Sequence, residues 1–507
     1  MSTKSIGKEK NGGILAWIEK VGNKIPHPFL LFFYLTLIIV ILSCFLNIIG
    51  VNVENPATSE IVSVRNLLSA EGIVFILENL ITNFSGFAPL GLILSMTIGI
   101  GVAEHSGLIS TFMRNSILGA SPKLVTIMIM FIGICGNLAS DAAIVVVPVI
   151  SAMIFVSMDR HPLAGIAIGY AATTAGFSAN LMISGTDALL SGISTEAVKI
   201  IDPNMHVGIA DNWYFMIAST FLLSVVGAIV TERFIEPRLG KYNGKIKVNN
   251  DRVTDIERKG LKYAGLFTVM FILLIAAATI PENSFLRNPE TGSIIQKSPL
   301  INSIAPILII WFVSIGIIYG KTVGTIKSAA DVPAFMTKSI GTMSSYIVLV
   351  FIIGQFIAYF NWSNIGYVIA VYGAELLEFM NLKGIPLFIM FILLCSFINL
   401  FIGSGSAKWT LLAPIFIPMF YMLGYNPALT QLLYRIGDST TNIISPLFSY
   451  IPIIIALAQQ YDKKYGMGTV ISTMIPYTIA MMITWTLLAI VWFFFKIPLG
   501  PGVGIFI

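Results

Sequence analysis

Ionisable side chains stand inside apolar runs at four places in this chain, where hydrocarbon makes them expensive and where they usually mark function. Asp141 follows Ser140 in NLASDAAIVVVP, and Asp187 sits in ISGTDALLSG. Lys408 precedes Trp409 in GSGSAKWTLLAP, and Arg435 and Asp438 lie three apart in YRIGDSTTNIISP. A carboxylate among hydroxyl and amide oxygens can hold a hard cation, and Ser439, Thr440, Thr441 and Asn442 follow Asp438 directly. A guanidinium such as Arg435 can grip a solute carboxylate through a two-pronged fork. An indole beside a polar break, as at Trp409, can stack on an aromatic ligand. Each residue also has a plainer reading. Asp141 would cap the half-helix after it, and Lys408 would snorkel to water along its own stem. Arg435 and Asp438 would neutralise one another on one helical face. Asp187 would be a solvated loop residue and Trp409 a packing residue.

Other chemistries find little support. The chain has no Walker A sequence, which argues against ATP-driven transport by this chain alone. It has no glycine-flanked nucleophilic serine with a plausible intramembrane base, so it is not read as an enzyme. Cys44, Cys135 and Cys395 all lie in apolar segments and make no disulfide or metal framework, and the four histidines are scattered.

The elements that position these residues follow from composition. Of 507 residues 56% are hydrophobic and 11% charged, with a mean hydropathy of +0.87. Soluble domains carry about 25% charged residues, so the chain is an all-α polytopic membrane protein. Its net charge of +5 serves membrane topology and implies no nucleic-acid partner. The N-terminus lacks a signal peptide's apolar core and reads as a basic cytoplasmic tail. Nine runs of the length a transmembrane helix needs lie at 29–49, 88–106, 162–182, 212–230, 263–281, 300–319, 343–361, 428–455 and 470–495. With the N-terminus inside, 22 of the 30 lysines and arginines fall on inner segments and six on outer ones, leaving Lys408 and Arg435 at membrane depth. That asymmetry favours a cytoplasmic N-terminus and an external C-terminus in the plasma membrane. Glu104 and His105 read as interfacial, and segment 60–85 as amphipathic on the outer surface. Loop 233–262, with nine basic residues, reads as solvated near anionic lipid headgroups.

Two apolar regions fit no ordinary span. Region 124–157 is too long for one helix and breaks at GNLASD, while 385–423 breaks at GSGSAKW. A re-entrant helical hairpin explains each, with its polar tip buried in protein or facing a watery cavity. For the second region, a pair of full spans with Lys408 in an inner loop is the alternative. The two regions also repeat one another. Asn137-Leu138 and Asn399-Leu400 are separated by 262 positions, as are Asn180 and Asn442, and each asparagine lies in a polar break. The first hairpin enters from inside and the second from outside, so the units are inverted, as in secondary transporters.

SDAAIVVVPVISAMIF, GFSANLMISGTDALLSGIS, GSGSAKWTLLAPIFIPMF and YRIGDSTTNIISPL resemble the AbgT family of p-aminobenzoyl-glutamate transporters across essentially the whole chain. The resemblance implies a bowl-shaped homodimer whose protomers have nine transmembrane helices and two hairpins, divided into scaffold and transport core. On this sequence the division is a tail (1–28), scaffold helices (29–120 and 212–361), inverted repeats forming the core (121–211 and 362–460), and a last helix with the C-terminus (461–507). It also implies transport of an aromatic carboxylate, by uptake or by export of p-aminobenzoate-like antimetabolites such as sulfonamides, coupled to sodium or protons with no other cofactor. The positions it makes important are Asp187, Ser406, Trp409, Pro427, Arg435, Asp438 and Pro446. Asn399, Asp438 and Asn442 resemble the family's sodium-binding region, with Asn137 and Asn180 as first-repeat counterparts. Asp141 and Lys408 join the solute-binding candidates from their places at the two tips. A channel is the more distant alternative.

Overall fold

The computed structural model describes residues 28–54, 60–118, 124–139, 142–240, 242, 253–294 and 298–507. Helix α1 (Pro28–Ile49) leads into an antiparallel hairpin of β1 (Asn52–Glu54) and β2 (Ile61–Ser63), with Asn52 opposite Ser63. Then follow α2 (Ala70–Ser85), α3 (Ala88–His105), α4 (Leu108–Leu118), α5 (Val125–Cys135), α6 (Ala142–Ser157), α7 (Pro162–Tyr170), α8 (Gly185–Val198) and α9 (Trp213–Val230). The middle of the chain forms α10 (Glu236–Leu239), α11 (Asp255–Ala277), α12 (Pro299–Asn302), α13 (Ile304–Val323), α14 (Asp331–Thr342) and α15 (Ser344–Trp362). Last come α16 (Ile365–Phe379), α17 (Ile385–Asn399), α18 (Gly405–Met422), α19 (Pro427–Asn442), α20 (Ile451–Gln459) and α21 (Met467–Phe494).

Among the described residues, seven helical stretches are long and apolar enough to cross a membrane: Pro28–Ile49, Ala70–His105, Trp213–Leu239, Asp255–Ala277, Ile304–Val323, Ser344–Trp362 and Met467–Phe494. Their outer surfaces are those of a protein solvated by hydrocarbon. On α11 only Gly260 and Ala264 are buried, while Leu266, Val269, Met270 and Leu273 point outward. So continuous an apolar exterior has no stable place in water.

The structure departs from an unbroken reading of two runs. In 162–182, α7 ends at Tyr170, passes through a π-turn (Ala171–Ala175), and has lost its helix by Asn180. In 428–455, α19 ends at Asn442 and α20 starts at Ile451. Pro446, which has no N–H to donate, sits in that second gap. Two further features escaped the sequence. Helix α16 is too short, and too diluted by Glu375 and Glu378, to register as a run, and residues 61–63 are strand within the segment 60–85 read as amphipathic. Region 124–157 does divide: α5 and α6 are joined by a 3₁₀ turn at Gly136–Ala139. At 1.5 Å per residue α5 is only about 17 Å long, roughly half the hydrocarbon thickness. Region 385–423 divides into α17 and α18 around residues 400–404. Asp141, at the first break, lies outside the described residues, as does the N-terminal tail through residue 27.

Glycine sets the closest approaches. A Cβ at Gly169 of α7 would stand 2.6 Å from Pro148 Cα of α6, and one at Gly437 of α19 would stand 2.5 Å from the Ile392 carbonyl of α17. Gly437→Val should therefore force α17 and α19 apart and lower Tm by several degrees, the consequence of overpacking worth about 1–3 kcal/mol. Gly265→Val on α11, where a Cβ meets nothing within 4 Å, should leave Tm unchanged. Thermal unfolding of the two detergent-solubilised variants checks the contrast.

Candidate ion and solute site

Helix α19 organises the site. Asn426 caps it, accepting from the Ala428 N–H at 2.9 Å, and Pro427 takes the first helical position, where a missing N–H costs nothing. All sixteen residues of α19 are buried although the helix carries Gln431, Arg435, Asp438 and Asn442. Polar groups enclosed this way need partners, and two ion pairs supply them.

The first joins the two helices of the second broken region to α19. Lys408 Nζ lies 2.5 Å from Asp438 Oδ1, with side chains 1% and 6% exposed. Lys408 also donates to Asn399 Oδ1. Asn399, at the end of α17, directs its Nδ2 at the Asp438 carbonyl (2.6 Å), Thr441 Oγ1 (2.8 Å) and Asn442 Oδ1 (2.8 Å). The Tyr434 hydroxyl completes the group, donating to the Gly405 carbonyl at 2.5 Å and lying 3.0 Å from Asp438 Oδ1. Oxygens from α17 and α19 thus converge on a small buried region. Lys408 neither snorkels nor sits in a loop; it is the counter-ion of Asp438.

The second pair joins α19 to α8. Arg435 Nη1 lies 2.6 Å from Asp187 Oδ1, and the Arg435 side chain is 1% exposed. Asp187 is no solvated loop residue. It is the third residue of α8, where its Oδ2 accepts from the Ser184 N–H (2.7 Å) and hydroxyl (2.8 Å) in a capping box. The plainer alternative, in which Arg435 and Asp438 neutralise one another, gives way to two separate pairs. Among the described residues Arg435 Nε has no hydrogen-bond partner and is buried, which leaves a donor for a further acceptor.

Trp409 is fully buried and lies against Tyr434, ring centroids 4.5 Å apart, with its Nε1 donating to Ser194 Oγ of α8 at 3.0 Å. Its ring is covered by Tyr434, so stacking on a ligand requires that contact to open. Ser194 in turn donates to Gln431, and Gln431 to Asn212. Ser404 caps α18, accepting from the Ala407 N–H, and Ser406 lies 3.3 Å from it, hydroxyl to hydroxyl.

The remaining candidates divide. Thr441 reaches the Asn399 amide, but Thr440 bonds the Ile436 carbonyl of its own helix, and residues 439–442 remain helical rather than unwound. At the first break, Asn137 donates to the Ile134 carbonyl, and its Oδ1 lacks a partner among the described residues. Among the described residues no hydrogen bond joins it to Asn180, which instead lines a cavity of about 660 Å³ together with Cys135, Arg258, Lys262 and Trp311. No group of three or more His, Cys, Asp or Glu residues is present among the described residues. Sequence reasoning overlooked Tyr434, Ser194, Gln431 and Asn212. Gln431 is visible beforehand as a polar residue one helical turn before Arg435, whereas Tyr434 and Ser194 look like ordinary membrane residues.

The model of the AbgT putative transporter family matches residues 13–507. The p-aminobenzoyl-glutamate transport protein of Escherichia coli strain K12 is 42% identical over 504 residues, 99% of each chain. The crystal structure of the Alcanivorax borkumensis YdaH transporter superposes with a TM-score of 0.90 at 37% identity, covering 94% of this chain and 100% of that one. Neisseria gonorrhoeae MtrF, reported as illuminating a class of antimetabolite efflux pumps, superposes with a TM-score of 0.92 at 42% identity, covering 97% and 100%.

Proposed function

The chain belongs to the AbgT putative transporter family, and from that premise we infer that it is a cation-coupled secondary transporter of p-aminobenzoyl-glutamate or a related aromatic anion. The observation that carries the reading is the pairing of Asp438 with Lys408 and of Arg435 with Asp187, one helical turn apart on α19. One carboxylate stands among amide and hydroxyl oxygens suited to a hard cation. One guanidinium keeps an unused donor for a solute carboxylate. Asp438, Asn399 and Asn442 hold the coupling ion; Arg435 and Ser406 meet the solute, and Trp409 joins them when Tyr434 moves aside.

The chain crosses the plasma membrane nine times, with α5–α6 and α17–α18 as re-entrant hairpins. Repeats 121–211 and 362–460 move as a core against the scaffold 29–120 and 212–361 within a homodimer surrounded by lipid. Contacts between distant loops support this sidedness. Segments assigned to the inside meet one another, through Arg160–Glu236 (2.7 Å), Arg114–Glu257 (2.5 Å) and the His161–Tyr242–Tyr461 rings. Segments assigned to the outside do likewise. Tyr421 bonds Asp202, and the Tyr214 and Asn426 N–H groups bond carbonyls of the tail at Leu499 and Ile505.

The test is flux in proteoliposomes. Labelled p-aminobenzoyl-glutamate should accumulate against its gradient when a sodium or proton gradient is imposed, with saturation and a fixed solute-to-ion ratio. Flux that merely equilibrates the solute whatever the ion gradient would point to a channel. Export of p-aminobenzoate-like antimetabolites is the second reading, favoured by the 42% identity with MtrF. Counterflow with the gradient imposed each way separates the two directions.

A further inference from the structure

The Lys408 ammonium already stands among the oxygens assigned to the coupling ion. Its partners are Asp438 Oδ1 and Asn399 Oδ1, and its side chain is 1% exposed. Asp438 and Lys408 together are neutral. A second cation brought to the same carboxylate would leave net positive charge in a site nearly closed to water, an expensive state. One carboxylate can compensate one cation at a time. We propose that the Lys408 ammonium is a tethered stand-in for the coupling cation, which binds by displacing Lys408 from Asp438 and Asn399. The proposal rests on the ion-site reading above.

The position of Lys408 gives the exchange a mechanical consequence. Lys408 is in the first turn of α18, beside Ser406 at the tip, and polar contacts tie that turn to α19: Lys408 with Asp438, and the Gly405 carbonyl with the Tyr434 hydroxyl. The backbone lies so close that a Cβ at Gly405 would stand 3.3 Å from Asp438 Oδ2. Displacing Lys408 removes its ion pair from these ties and loosens the tip. It also releases an ammonium beside the start of α18, a counter-charge for a carboxylate-bearing solute. Cation and solute then favour each other's binding, and the coupling is reciprocal.

The test measures ²²Na⁺ binding to the full-length protein in detergent. Lys408→Met keeps the length of the stem and removes the charge, so half-saturating sodium should fall at least tenfold. Lys408→Arg keeps a competing cation and should bind no more tightly than the wild type. Unchanged or weaker binding in Lys408→Met overturns the proposal. Asp438→Asn separates the two levels of argument: sodium binding that survives it defeats the ion-site reading itself, whereas its loss alongside unchanged binding in Lys408→Met defeats only the displacement. A second measurement needs no variant. Amine acetylation of the wild-type chain, read by peptide mass spectrometry, should modify Lys408 faster in sodium than in choline. Equal rates in the two salts overturn the proposal.

Discussion

Asp438→Asn is expected to abolish ion-driven accumulation of solute while leaving a folded but less stable protein. The substitution keeps size and polarity and removes the charge, so the Lys408 ammonium is left buried without its counter-ion. Breaking a buried pair from one side costs about 3–5 kcal/mol, so Tm should drop clearly. The double variant Lys408→Met/Asp438→Asn has no charge to compensate and should recover most of that stability, because neutral replacements of buried pairs are often tolerated. Accumulation in proteoliposomes should stay lost in both. Recovery of transport in the double variant would mean that the pair is only a structural tie and that ion coupling lies elsewhere. The comparison works because stability and transport are read separately on the same two proteins.

Arg435 and Asp187 lend themselves to the same separation at the solute end. Asp187→Asn retains an oxygen that can accept from Ser184, so the cap on α8 survives while Arg435 loses its counter-charge. Arg435→Met leaves the Asp187 carboxylate with its Ser184 hydrogen bonds but buried without a counter-charge. Each single variant should lose about 3–5 kcal/mol of stability and nearly all transport. In the double variant Asp187→Asn/Arg435→Met the charges vanish together, and thermal stability should return toward the wild-type value. Binding of labelled p-aminobenzoyl-glutamate should remain absent, since the guanidinium proposed to meet the carboxylate is gone. Binding at wild-type affinity in the double variant would remove Arg435 from the solute site.

Much of this site was legible because charge in hydrocarbon is costly enough to stand out residue by residue. Asp187, Lys408, Arg435 and Asp438 were conspicuous in their apolar surroundings. The identity of each partner was less accessible. Spacing by three allowed an Arg435–Asp438 pair as the plainer alternative, yet residues three apart on a helix differ by about 60° in direction. On a helix enclosed on every side, that angle suffices to aim one side chain at α8 and the other at α17 and α18. Tyr434 and Ser194 escaped for the opposite reason, since neither is costly enough in a membrane helix to be noticed.

The sequence by itself determined the solvent of this protein, the placing of most of its apolar helices, the breaks that interrupt them, and the four charges that lie at or beside those breaks. All of these follow from local composition, because a polar group or a proline in a hydrophobic run has its effect wherever the run is placed. Tertiary structure alone decided that Lys408 neutralises Asp438 and that Arg435 crosses from α19 to Asp187 of α8. Those pairings join residues as much as 248 positions apart, and they depend on how closely helices pack at glycines such as Gly437. Pairing energies come from distance and enclosure, which exist only once the helices have been packed together.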